Sequence, residues 1–151
     1  MNELAKFFVG LLMLAAAASA MAQQPKAQPQ PQTDLDPTQL VGAGLRVAQM
    51  IDAGKSGEVW DGASAVAKRS VQRKQFDDGN RALRKPLGSV VGRRWAMVNR
   101  HVTPGSSQLP AGVYANVQFE TSFASRKVGN ELVSFRLDED GTWRLSGYVL
   151  K

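Results

Sequence analysis

Two spacings of apolar residues divide the chain. Between Asp36 and Leu87 they recur every three or four positions, and after Gly88 every second one. The first half predicts helices. Asp36 is placed as an N-cap with Pro37 at the first helical position and Gln39 two residues further on. Leu40, Gly44, Val47 and Ile51 then form one stripe, widened by Val41, Leu45 and Ala48, until Gly54 offers a left-handed stop. A second short helix is expected over residues 58–67, with Ser56 as its cap and Trp60 facing inward. A third is expected over 70–85, with Phe76, Leu83 and then Leu87 along one side. Pro86 ends it by removing a backbone donor, and Gly88 frees the following turn. Residues 90–99 read as a strand and 100–112 as a polar loop. Val113, Ala115, Val117, Phe119, Thr121 and Phe123 alternate cleanly with polar neighbours, and Val133, Phe135 and Leu137 repeat the pattern. The run Asp138-Glu139-Asp140-Gly141 makes a hairpin turn into Trp143, Leu145, Gly147 and Val149. Three helices followed by three or four antiparallel strands predict an α+β domain over residues 38–151, with the helices packed on one face of a twisted sheet.

The segment before that domain has a different composition. Residues 1–22 read as a secretory signal: Lys6 near the start, an apolar run from Phe7 to Ala18, then small residues that favour cleavage before Gln23. The run is shorter than the roughly 20 residues that span a bilayer as a helix, and no Cys follows it to carry a lipid. Residues 23–37 are rich in Gln, Pro and Ala and predict a disordered linker. The expected address is the periplasm, or the extracellular side beyond it, without stable membrane insertion after cleavage.

Residues 66–94 and 109–151 resemble the bacterial secreted domain family DUF4019, a family of unknown function. The carrying motifs are Arg84-Lys85-Pro86-Leu87-Gly88-Ser89-Val90, the strand Tyr114-Ala115-Asn116-Val117-Gln118-Phe119-Glu120-Thr121 and the ending Asp140-Gly141-Thr142-Trp143-Arg144-Leu145-Ser146-Gly147-Tyr148. A weaker match covers residues 40–64, including Asp52-Ala53-Gly54 and Trp60. Phe76 stands where members often carry Trp, and the first helix lacks the usual tryptophan. The resemblance implies a cone-like shape similar to the NTF2/cystatin-like superfold. It implies no activity, because that superfold hosts enzymes, binding modules and assembly domains alike.

Candidate chemistry is sparse. With no Cys and only His101, thiol catalysis, Cys-ligated metal centres and paired-imidazole sites are excluded, and no cofactor is expected. His101 falls in the expected polar loop with no carboxylate near it in sequence. Asp77 and Asp78 lie among Lys74 and Arg81, where ion pairing is the simpler role. Asp138, Glu139 and Asp140 suit a turn and lack calcium-loop spacing. Glu120 falls on the outward register, and no inward acid is read on the strands. Gly42-Ala43-Gly44 lacks the strand and the Lys-Ser/Thr of a phosphate loop and suits close helix packing. Trp60, Trp95 and Trp143 have core-compatible spacing. Tyr114 and Tyr148 fall opposite the apolar register and are candidates for a recognition surface.

Charge is the more informative feature. The chain carries 19 Lys+Arg against 13 Asp+Glu, and residues 68–100 alone hold ten Lys/Arg against Asp77 and Asp78. Nucleic acid is a poor partner for an exported chain without interleaved stacking aromatics. An acidic protein in the cell envelope fits better, with Lys68, Arg69, Arg73, Lys74 and Arg81 as contact residues beside the two tyrosines. Arg84, within the turn motif, is expected to make a structural ion pair instead. The reading is a non-catalytic exported binding module: an inhibitor or immunity-type protector, or an envelope assembly factor. The alternative is a small-ligand or cofactorless enzyme domain using the space between helices and sheet. An inward-facing acid or His in an apolar pocket would favour it. The sequence leaves the oligomeric state undetermined.

Overall fold

The computed structural model describes residues 36–107 and 109–151. The expected signal segment and nearly all of the expected linker lie outside the described residues. The fold is α+β, with helices preceding a four-stranded antiparallel open sheet. The helices are α1 (Pro37–Asp52), α2 (Ser56–Asp61), α3 (Ala65–Ser70) and α4 (Arg73–Arg84). The strands β1 (Val90–Thr103), β2 (Gly112–Phe123), β3 (Val128–Leu137) and β4 (Trp143–Leu150) run in sheet order β1-β2-β3-β4, so each pairs only with its sequence neighbours.

The start of α1 follows from its sequence: the Asp36 carboxylate accepts from the Thr38 N–H at 2.8 Å, and Pro37 needs no partner there. Its buried face is Leu40, Gly44, Ala48 and Ile51. Gly44 is required by closeness, since a Cβ there would stand 3.2 Å from both Phe119 and Val117. The single helix expected over 58–67 is instead two. Gly62 ends α2, and Ser64, fully buried, starts α3 by accepting from the Ala67 N–H at 3.2 Å while its own N–H donates to Leu145 O at 2.8 Å. A serine whose hydroxyl and amide are both engaged holds the chain out of a continuous helix. Its successor, α4, begins at Arg73 rather than Ser70, and its Leu83 is 51% exposed instead of core.

Two departures in the sheet decide where side chains point. Opposite β2, Phe119 pairs with Trp95 and Gln118 with Met97, leaving Ala96 as an extra residue; Val91 is extra in the same way. Opposite β3, Phe135 pairs with Leu145 and Ser134 with Gly147, leaving Ser146 extra. Each such bulge shifts the two-residue alternation by one. Beyond Ser146 it is therefore Tyr148, not Val149, that shares the helix-facing side with Leu145, while Val149 is exposed. β1 also runs to Thr103, so His101 is a strand residue opposite Tyr114 and not part of a loop. The core joins Leu40, Ile51, Val59 and Ala67 of the helices to Val117, Phe119, Val133, Phe135 and Leu145 of the sheet. Trp143 packs against this core, but Trp95 is 61% exposed and lies outside it.

Candidate functional site: a buried charge cluster beside an apolar cavity

At one end of the layer where helices meet sheet, five elements bring charged groups together. Glu131 pairs in register with Phe119 on β2 and Leu150 on β4, and its side chain is fully buried. Counting back by twos from Val133 places it on the inward face, so this acid was readable from the strand pattern. Its Oε1 accepts from Arg93 of β1, from Nη2 at 2.8 Å and Nε at 3.3 Å. Its Oε2 accepts from Arg84 Nη2 and from the Tyr148 hydroxyl, each at 3.1 Å. Arg84, at the end of α4, also donates to the Tyr148 oxygen at 2.8 Å, and its guanidinium lies over the rings of Phe123 and Tyr148 at 5.3 and 5.9 Å.

Asp52, the last residue of α1, closes the cluster. It takes a two-pronged contact from Arg93 at 2.9 and 3.2 Å. Arg84 Nη1 stands 2.8 Å from the same carboxylate, near enough for an ion pair but without hydrogen-bond alignment. Burial works against the charge of Arg93, yet its hydrogen bonds to Asp52 and Glu131 outweigh this and raise its pKa above the ordinary guanidinium value. Burial, followed by the negative charge of Glu131, pushes the Tyr148 hydroxyl above its ordinary 10.0.

Two guanidiniums face two carboxylates, so the cluster balances. Both oxygens of Glu131 are covered by donors from different strands and a helix, which leaves no open position for a substrate proton. A base so saturated would have to displace two arginines before acting. The inward acid that would have favoured an enzyme is present, but in a form suited to anchoring α1 and α4 on the sheet. Arg84 makes the structural ion pairs expected of it.

The other predicted site residues fall into separate places. Tyr114 is 2% exposed, so it presents no open surface. Its hydroxyl donates to Pro110 O at 2.9 Å and its ring stacks on His101 at 5.8 Å. Tyr148 is turned inward by the Ser146 bulge. Arg73 grips Asp61 through Nε and Nη2 at 2.8 and 2.9 Å, Lys74 pairs with Asp78 at 2.5 Å, and Arg81 pairs with Asp77 at 2.7 Å. Much of the expected basic face is thus matched locally. Lys68 donates to Asp61 O at 2.7 Å and lies 5.3 Å from the Trp60 ring centroid. Arg69 sits in the last turn of α3 and adds a little to the lowering of the Glu139 pKa, which the hydrogen bond from Arg136 leads. The acidic hairpin is likewise matched: Arg136 pairs with Asp138 and Glu139, and Arg144 with Asp138 and Asp140. Among the described residues no group of three or more His, Asp or Glu could hold a metal ion.

Tyr148, a member of the charge cluster, also lines a cavity of about 290 Å³ walled by α2, α3, α4 and β4. The model of the family described as "Protein of unknown function (DUF4019)" matches residues 43–148. The chain belongs to the DUF4019 family. All five members of the charge cluster and every residue lining the cavity fall within the matched DUF4019 segment. No curated protein and no solved structure matches the chain.

Proposed function

We propose that this DUF4019 protein is an exported, non-catalytic binding module of NTF2/cystatin-like shape. It acts as an inhibitor, protector or assembly factor, and its open edge strand β1 receives an extended acidic segment of an envelope protein. The observation that carries the reading is the concentration of exposed apolar side chains on that edge. Of the seven large apolar residues left exposed among the described residues, four lie on β1: Val91, Trp95, Met97 and Val102. An edge strand offers unpaired backbone groups to an incoming strand, and side chains beside it supply specificity. The strand carries no acid, so an acidic segment meets no like charge on it, although Arg93 is committed to the buried cluster and Arg94 pairs with Glu120 at 2.6 Å. Beyond the Ala96 bulge the ladder with β2 is regular from Met97 to Thr103, leaving a uniform edge for pairing. Among the described residues no helix is long and apolar enough to cross a membrane. Export itself is tested by the intact mass of the native protein, expected to begin at Gln23; a retained Met1 would refute it.

The binding test places a photo-crosslinking residue at Trp95 or, for comparison, at Val128, another exposed apolar position away from β1. In the envelope of the producing cell, one discrete adduct is expected from position 95 and none from 128. Val102→Glu, a negative charge placed on the edge against an acidic segment, should suppress that adduct without changing the melting temperature. Equal crosslinking from both positions, or none from 95, would overturn the edge-strand reading.

A further inference from the structure

We infer that the cavity walled by α2–α4 and β4 is a binding site for a small aromatic carboxylate, separate from the β1 edge and independent of what docks there. Three rings, Trp60, Phe76 and Tyr148, line it, and the buried alanines Ala63 and Ala67 complete its wall where larger side chains would fill the space. Neither polar ring atom is available to a ligand. The Trp60 indole N–H donates to Val71 O at 2.9 Å, and the Tyr148 hydroxyl is held by Glu131 and Arg84. The aromatic walls therefore offer carbon surface, which selects an apolar, flat ligand body. At about 290 Å³ the space suits one or two fused rings and excludes a long chain.

Charge near the cavity sets the ligand's other end. Lys68 stands 5.3 Å from the Trp60 ring centroid and is fixed there by Asp61 O. The Asp61 carboxylate is occupied by both prongs of Arg73, and among the described residues Lys68 forms no salt bridge. Lys68, Arg73 and Asp61 do not line the cavity, but together they carry one net positive charge beside Trp60, which does. An anionic group on the ligand completes the ammonium's hydrogen bonding, while a neutral ligand of the same shape leaves it to water.

The probes are 2-naphthoate and 2-naphthol, which share a ring system and differ in charge at neutral pH. The reporter is the indole N–H resonance of Trp60 in the mature protein, assigned by its loss in Trp60→Phe. Naphthoate is expected to shift this resonance with an affinity about tenfold above that of naphthol. Lys68→Gln should abolish that preference while leaving naphthol binding as it was. Ala67→Phe, which fills the cavity, should remove binding of both. If Ala67→Phe fails to melt cooperatively, nuclear Overhauser contacts from bound naphthoate to the Phe76 and Tyr148 rings of the unaltered protein replace it as the test of location. No Trp60 shift at millimolar naphthoate, equal affinity for the two probes, or an absence of contacts to those rings would each overturn the assignment.

Discussion

Replacing Glu131 by Gln removes one charge from the cluster and alters little else in volume. Arg84 and Arg93, whose side chains are 12% and 6% exposed, would then share Asp52 as their one carboxylate, itself 24% exposed. Breaking a buried ion pair by removing one partner costs about 3–5 kcal/mol, because the remaining charge is left uncompensated. The Gln carbonyl still accepts one hydrogen bond, which recovers about 1 kcal/mol. A net loss of about 2–4 kcal/mol corresponds, for a domain of this size, to a melting temperature lower by about 8–20 °C. Urea unfolding followed by circular dichroism should show the midpoint falling with the slope unchanged. A variant that removes the whole cluster, Glu131→Leu, Arg84→Met and Arg93→Met with Asp52→Asn and Tyr148→Phe, leaves no group unpaired and should lie closer to the parent than Glu131→Gln does. A Glu131→Gln melting temperature within about 2 °C of the parent would refute the anchoring role assigned to this carboxylate.

Two further outcomes follow from the same geometry. Tyr148→Phe removes a hydroxyl bonded to both Glu131 and Arg84 and should cost about 1–2 kcal/mol near neutral pH. Because the folded hydroxyl titrates above its ordinary 10.0, the native state holds this proton more tightly than the unfolded chain. Its stabilisation is complete below pH 10.0 and is lost as pH rises through the folded value. The stability gap between parent and Tyr148→Phe should narrow above pH 10.0, and a constant gap in alkaline melts would contradict this. Gly88 has φ +74°, and a Cβ there would meet that of Ala124 at 3.3 Å. Gly88→Val should therefore destabilise by more than about 1 kcal/mol, and an unchanged melting temperature would show the turn to be unstrained.

How much of this was legible depended on whether the strand period ran unbroken. The β2 alternation from Ala115 to Phe123 carried through to the structure, and so did the Asp36 cap, the Gly54 and Gly88 turns and the helix-then-sheet order, while Tyr114 broke the alternation by being buried. Glu131 was equally readable but lay two residues before the point where the strand had been started. Arg93 and Tyr148 were not readable. Each lies just past a bulge, and a single extra residue reverses which side chains face the helices. Nothing in Val91 or Ser146 as residue types announces such an insertion. The split of the second helix at Ser64 was likewise hidden, because the tertiary bond from its N–H to Leu145 O helps decide it. The basic run read as one face resolved into local pairs, since Asp61, Asp77 and Asp78 lie within reach of Arg73, Arg81 and Lys74 once the helices form.

The meander order of the sheet bears on how the chain acquires its structure. Each strand meets only its neighbour in sequence, so hairpins can zip in order at little loop-closure cost. The charge cluster is the opposite: its bonds join residues 38, 41, 47 and 64 positions apart. It can close only after β1, β3, β4 and the ends of α1 and α4 have met, so its bonds are expected to form on the native side of the rate-limiting barrier, which folding and unfolding rates of Glu131→Gln would check. Substitutions within it should accordingly speed unfolding and leave refolding nearly unaltered, so that the cluster acts as a latch on the lifetime of the folded state.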